Sequence, residues 1–218
     1  MIRAFGLNDF LFILTALQWT LALSAIAFIG GGMVGLAAAL GRTSEIKPLR
    51  YATNGYIQLF QGTPLLMQLF LVFFGANVIG IDINPWLAAA SGLTLNAGAF
   101  LGEIWRGSIE AVPGGQAEAA TALGLRYVGR MRYVVLPQAL KIAIAPTVGF
   151  LVQLTKSTSL AAIIGFTELT RAGQIINNAT FRPFQVFGIV ALLYFVICWP
   201  LSILSGRLER RYATAASR

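Results

Sequence analysis

Five stretches of this chain, residues 14–40, 55–79, 86–109, 139–165 and 186–205, are each long and apolar enough to cross a bilayer. A crossing helix needs about 20 mostly apolar residues, because each adds ~1.5 Å of rise against a hydrocarbon layer of ~30 Å. Lipid offers no hydrogen bonds to the backbone, so runs of this kind must satisfy their peptide groups internally. The sequence therefore predicts an all-α integral membrane protein with five transmembrane helices. Composition agrees: 57% of residues are hydrophobic and only 11% are charged, too little polar surface to coat a soluble globule. Residues 10–41 carry no charge, a length well beyond the ~7–15 residues of a signal-peptide core, so the first run is read as a retained span. The fourth run is interrupted by Pro146 and by Lys156, which lies near its middle. Both are tolerable only where they face protein or water.

The formal charge of +8 does not indicate nucleic acid, because the cations sit in the gaps between apolar runs, where lipid headgroups lie. Eleven of the 16 fall on one side: Arg42, Lys47 and Arg50, then Arg126, Arg130, Arg132 and Lys141, then Arg207, Arg210, Arg211 and Arg218. Arg3, Arg171 and Arg182 fall opposite. The positive-inside rule puts the C-terminus in the cytoplasm and, with five crossings, the N-terminus outside. One cysteine, Cys198, and no histidine exclude a disulfide framework and a Cys- or His-based metal site. No Gly-x-x-x-x-Gly-Lys-Ser/Thr segment exists, and Gly30, Gly31, Gly32 and Gly35 lie inside an apolar run, so these glycines are read as close helix packing rather than phosphate binding. A membrane-embedded enzyme would need a nucleophile, acid or metal group that the spans do not offer. All 218 residues are read as one transmembrane domain.

Two connections are too long for simple turns. Residues 110–138 contain Pro113-Gly114-Gly115, an Ala-rich stretch from Gln116 to Leu123, and Gly124 as a stop, which predicts a short cytoplasmic helix along the membrane surface. Residues 166–185 are polar, with Asn177-Asn178 and Pro183, and read as a loop with at most a helical turn.

The first connection also carries Glu118-Ala119-Ala120, then Gly124, then Leu136-Pro137. The spacing resembles the Glu-Ala-Ala loop of ABC importer permeases, with Val134 where Ile is usual. The resemblance covers almost the whole chain and is similar to the polar amino acid subfamily: Gly62-Thr63-Pro64-Leu65-Leu66 follows Gln61 where that group has Arg; Gly102-Glu103-Ile104-Trp105-Arg106-Gly107 precedes the loop; and Lys156-Ser157-Thr158-Ser159-Leu160 has Ser157 where Asp is common. It implies a type I permease fold with a coupling helix between spans three and four, in a bacterial inner membrane. It also implies an ATPase dimer that binds ATP and Mg, a second permease subunit, identical or merely similar, and an external amino acid binding protein. No cofactor is expected in this chain. A stand-alone secondary transporter or exporter is the competing reading, and it would need no coupling loop.

On that resemblance Glu118, Ala119, Ala120, Gly124, Leu136 and Pro137 are the expected ATPase-coupling residues. A zwitterionic solute needs a cation or N–H donors at one end and an acceptor at the other. Lys156 and Glu103 meet that need, with Thr158, Ser159, Gln61 and Thr63 as neutral groups along the path. The structural alternative pairs Lys156 with Glu103 or Glu168. Arg106, three residues from Glu103 and four from Glu110, predicts an ion-pair ladder on one helix face.

Overall fold

The computed structural model describes residues 3–216, with side chains as far as Arg211, so Arg218 lies outside the described residues. The described chain is helical, with no strand. Its elements are α1 (Leu7–Arg42), α2 (Lys47–Gln61), α3 (Leu65–Val78), α4 (Pro85–Glu110), α5 (Gly114–Ala122), α6 (Tyr127–Arg130), α7 (Leu136–Ser157), α8 (Leu169–Thr180) and α9 (Pro183–Ala216). A wide turn, Met131–Val135, joins α6 to α7, and a tighter one, Thr158–Ala162, extends α7. Four helices are long and apolar enough to cross a membrane: α1, α4, α9 and the combined run Tyr127–Ala162. The outer surface is apolar where a soluble protein's would be polar, with Ile29, Met33, Leu71 and Val78 all exposed.

The second predicted span requires correction. Residues 55–79 do not form one rod: α2 and α3 meet at a 100° bend across Gly62-Thr63-Pro64. Pro64 has no N–H to continue the α2 ladder and disfavours helix at the residue before it. With 15 and 14 residues, the halves are ~22 and ~21 Å long, so neither crosses ~30 Å of hydrocarbon alone. The predicted outer loop is corrected as well. Most of residues 166–185 form the 12-residue α8, capped by Glu168, whose carboxylate accepts the N–H groups of Thr170 and Arg171 at 2.9 and 2.8 Å.

The centre of the fold is the α1–α4 crossing, made of small residues as the glycine run predicts. A Cβ placed on Gly31 would lie 2.5 Å from the Cβ of Ala97; one on Gly35 would lie 3.0 Å from Gly98 O and Gly102 N. Lipid gives helices no hydrophobic reason to associate, so this close backbone approach supplies the packing. Leu23, Ala27, Leu93, Ala97 and Leu101 continue the contact to Leu69 of α3 and to Phe150 and Leu154 of α7. A second cluster, Ile13 and Ala16 with Leu169, Ala172, Ile176, Val186 and Val190, fastens α8 and α9 against the start of α1.

Candidate functional site

α5 is held from beneath by a small apolar cluster: Val112, Val135 and Ala139 are buried, with Ile109, Ala117 and Met131 packed around them. The wide turn has a local cause. Pro137 cannot donate to the carbonyl four residues back, and the Leu136 N–H instead reaches five residues to Met131 O. That brings the second half of the motif, Leu136-Pro137, to the root of α7, directly behind Val135. On α5 itself Ala120 is buried, whereas Glu118 and Ala119 are exposed. Gly124 ends the helix at φ +81°, a left-handed conformation that glycine adopts without steric cost. Its N–H donates to Thr121 O at 2.9 Å and that of Leu125 to Ala120 O at 3.1 Å, the paired bonds of a Schellman cap. The result is a rigid short helix presenting Glu118, Ala119 and Leu123 outward on small neighbours.

The residues singled out for a solute path fall into two groups at different depths. Gln61 and Thr63 flank the bend: Gln61 Nε2 donates to Ala99 O of α4 at 3.4 Å, and Thr63 Oγ1 to Leu59 O at 2.7 Å. Glu103 lies one turn beyond Ala99 but is held by Arg106, whose Nε donates to Glu103 Oε2 at 2.8 Å; Arg106 also pairs with Glu110. The predicted ladder is therefore present. Lys156, Thr158 and Ser159 form the second group. Trp105 Nε1 donates to Thr147 Oγ1 at 2.9 Å and Phe100 stacks on Phe150, which puts Glu103 level with residues 147–150 of α7. Lys156 stands a further six to nine residues along, ~9–13 Å away. It sits in the last turn of α7, exposed, and not near the middle of a span as the sequence suggests. The structure does not bring Lys156 and Glu103 together, and neither predicted ion pair forms. Glu103 belongs to Arg106, and Glu168 is fully buried, capping α8 and accepting the Tyr194 hydroxyl at 2.7 Å. Burial pushes the Glu168 carboxyl above its ordinary 4.5, against the opposing pull of those hydrogen bonds. Thr158 is buried and bonds Thr155 O, and Ser159 bonds Lys156 O.

Three polar residues that the sequence reading passed over hold the bend. Gln68 Nε2 donates to Phe60 O at 2.8 Å, Thr63 O at 3.0 Å and Thr63 Oγ1 at 2.9 Å, while its Oε1 accepts Asn96 Nδ2 of α4 at 3.0 Å. Tyr56 donates to Leu95 O of α4 at 2.5 Å. The orphaned end of α2 is thus satisfied by side chains, as backbone interrupted at membrane depth requires. Gln68 and Asn96 were available as signals, since each is a polar side chain inside an apolar run and needs a partner there.

Known proteins agree with this geometry. Residues 31–214 match the family described as the binding-protein-dependent transport system inner membrane component. Among relatives, a probable amino-acid ABC transporter permease protein, YckA of Bacillus subtilis, is 36% identical over 95% of this chain and 92% of its own. The glutamine transport system permease protein GlnP of Escherichia coli is 35% identical over 89% of this chain and 90% of its own. A crystal structure of an amino acid ABC transporter with histidines superposes with a TM-score of 0.88 at 35% identity, covering 96% of this chain and all of that one. An inward-facing MetNI methionine ABC transporter shares the fold, at a TM-score of 0.78 and 20% identity. With a family match over most of its length and relatives above 30% identity end to end, the chain belongs to the binding-protein-dependent transport system inner membrane components, the permease subunits of ABC transporters.

Proposed function

We propose that this permease carries a polar amino acid inward across a bacterial inner membrane, receiving it from an external binding protein and drawing on ATP hydrolysed by a separate ATPase dimer. The single observation that carries the reading is α5: a capped, rigid helix whose outward face offers Glu118 and small residues to a partner that must approach the backbone closely. Leu136 and Pro137 act through the root of α7, which supports that helix. The relatives' names support an amino acid as solute, and Gln61, Thr63, Glu103, Lys156, Thr158 and Ser159 are the side chains proposed to meet it at successive depths. One subunit has few helices with which to enclose a gated path, so a second permease, identical or similar, completes it. The N-terminus lies outside, and α5 and the C-terminus lie in the cytoplasm.

The test combines coupling with topology. In the complex purified with its ATPase, Glu118→Lys or Gly124→Trp is expected to release the ATPase or separate ATP hydrolysis from uptake, while the permease stays in the membrane. Normal retention and normal uptake in both variants would remove α5 from this role. In a Cys198→Ser background, a cysteine at Gln116 should resist an impermeant reagent added outside intact cells, and labelling there would invert the topology.

A further inference from the structure

A cavity of about 380 Å³ opens where the ends of α1 and α4, the start of α2 and the coupling loop converge. It is lined by three arginines from three elements: Arg42 at the end of α1, Arg50 on α2 and Arg130 at the end of α6. Glu110 is the carboxylate on its wall, and that charge is already met by Arg106. Arg42 Nε is buried with no hydrogen-bond partner. Arg130 donates to Thr121 Oγ1 at 3.1 Å, which leaves the rest of its fork unengaged by that bond. The cavity is therefore cationic, concave and short of acceptors.

We infer that this cavity is a binding site for the phosphate of an anionic phospholipid headgroup, which joins the α1–α2 corner to the coupling loop. A phosphodiester supplies the acceptors that planar guanidinium forks suit best. Depth selects lipid over a free anion, because Arg42 and Glu110 are the last residues of two membrane-crossing helices, so the cavity lies at headgroup level. Exposed Leu36, Leu40 and Leu49 form an apolar ledge beside it on which an acyl chain can lie. Basic pockets at the cytoplasmic ends of transmembrane helices commonly take anionic headgroups. The placement of this side rests on the topology proposed above, and cysteine labelling reads that topology independently of any lipid.

The full chain in mild detergent, titrated with phosphatidylglycerol or phosphatidylethanolamine and followed by native mass spectrometry, tests the site. One phosphatidylglycerol per chain is expected to bind in preference to phosphatidylethanolamine. Arg42→Gln and Arg130→Gln should each weaken it about five-fold, and the Arg42→Gln, Arg50→Gln, Arg130→Gln triple variant on the order of 100-fold. Arg132→Gln, a neighbouring arginine outside the cavity, should change nothing. The two single variants keep the comparison readable if the triple variant fails to fold. Equal binding by Arg42→Gln, Arg130→Gln and the wild type would overturn the inference, as would an equal effect of Arg132→Gln. Displacement of the lipid by millimolar inorganic phosphate would assign the site to a free anion instead. Loss of the lipid on adding the ATPase would give the arginines to that subunit, and either result overturns the lipid assignment.

Discussion

Gly31 and Gly32 are neighbours in sequence and opposite in environment, and exchanging each for alanine isolates the energy of the α1–α4 crossing. At Gly32 an added Cβ meets only Trp105 Cη2 at 3.7 Å, an ordinary contact. At Gly31 it meets the Ala97 Cβ at 2.5 Å and backbone atoms, Ala97 C and Gly98 N, at 3.1 Å. Carbon atoms rest about 3.5–4.0 Å apart, so the Gly31 methyl needs over ~1 Å of retreat, and no side-chain rotation supplies it. The helices must separate. Both substitutions gain the same ~1 kcal/mol of helix propensity, which cancels in the comparison. What remains is the overpacking penalty of about 1–3 kcal/mol, or on the order of 2–12 °C in apparent melting temperature for a chain of this size. Gly31→Ala should therefore melt below Gly32→Ala in detergent, and Gly32→Ala should match or exceed the wild type. A Gly31→Ala protein as stable as Gly32→Ala would refute the claim that backbone contact at this crossing holds the fold.

Gln68→Leu keeps the bulk of the side chain but strands Asn96 Nδ2 and the carbonyls at the end of α2; a loss of about 2 kcal/mol in thermal unfolding is expected, with Asn96→Ala partly rescuing it. Lys156→Met should leave stability and assembly unchanged, because no ion pair is broken, while lowering amino acid uptake; wild-type transport would remove Lys156 from the path. Glu168 is held above its ordinary 4.5 by burial, so the folded chain keeps its proton longer than the unfolded one. Stability should therefore fall as pH rises above ~4.5 and level off beyond the folded value, and melting curves of Glu168→Gln should lose that slope.

Much of this fold is legible in the sequence, for identifiable physical reasons. Hydropathy marks α1, α4, α7 and α9 because length and charge exclusion alone define a crossing. Gly124 marks the end of α5 because its positive φ favours one residue type, and the spacing of Arg106 from Glu103 and Glu110 places three charges on one helix face. The bend at Gly62-Thr63-Pro64 escapes because an averaged hydropathy passes smoothly over three uncharged residues; Pro64, with Gln68 four residues on, was the local signal. α8 is hidden by its polar face, although Leu169, Ala172 and Ile176 recur at helical spacing. The height of Lys156 depends on where α7 begins, which Trp105–Thr147 fixes and the chain itself does not mark.

The wide turn between Met131 and Val135 stores one residue more than an α-helix of the same rise would hold. Each residue of helix advances the azimuth by about 100°, so this surplus sets the phase of everything after it relative to α5. Substitutions along the turn leave that phase alone, whereas losing one residue would let the helix close regularly and swing Val135 and Ala139 away from Val112 and Ala117. The segment is thus constrained in length more than in spelling. Deletion of Tyr133 is expected to abolish cross-linking between cysteines introduced at Ala117 and Ala139, while Tyr133→Ala preserves it. Such a chain would still insert and pack its spans, with its coupling helix facing the wrong direction.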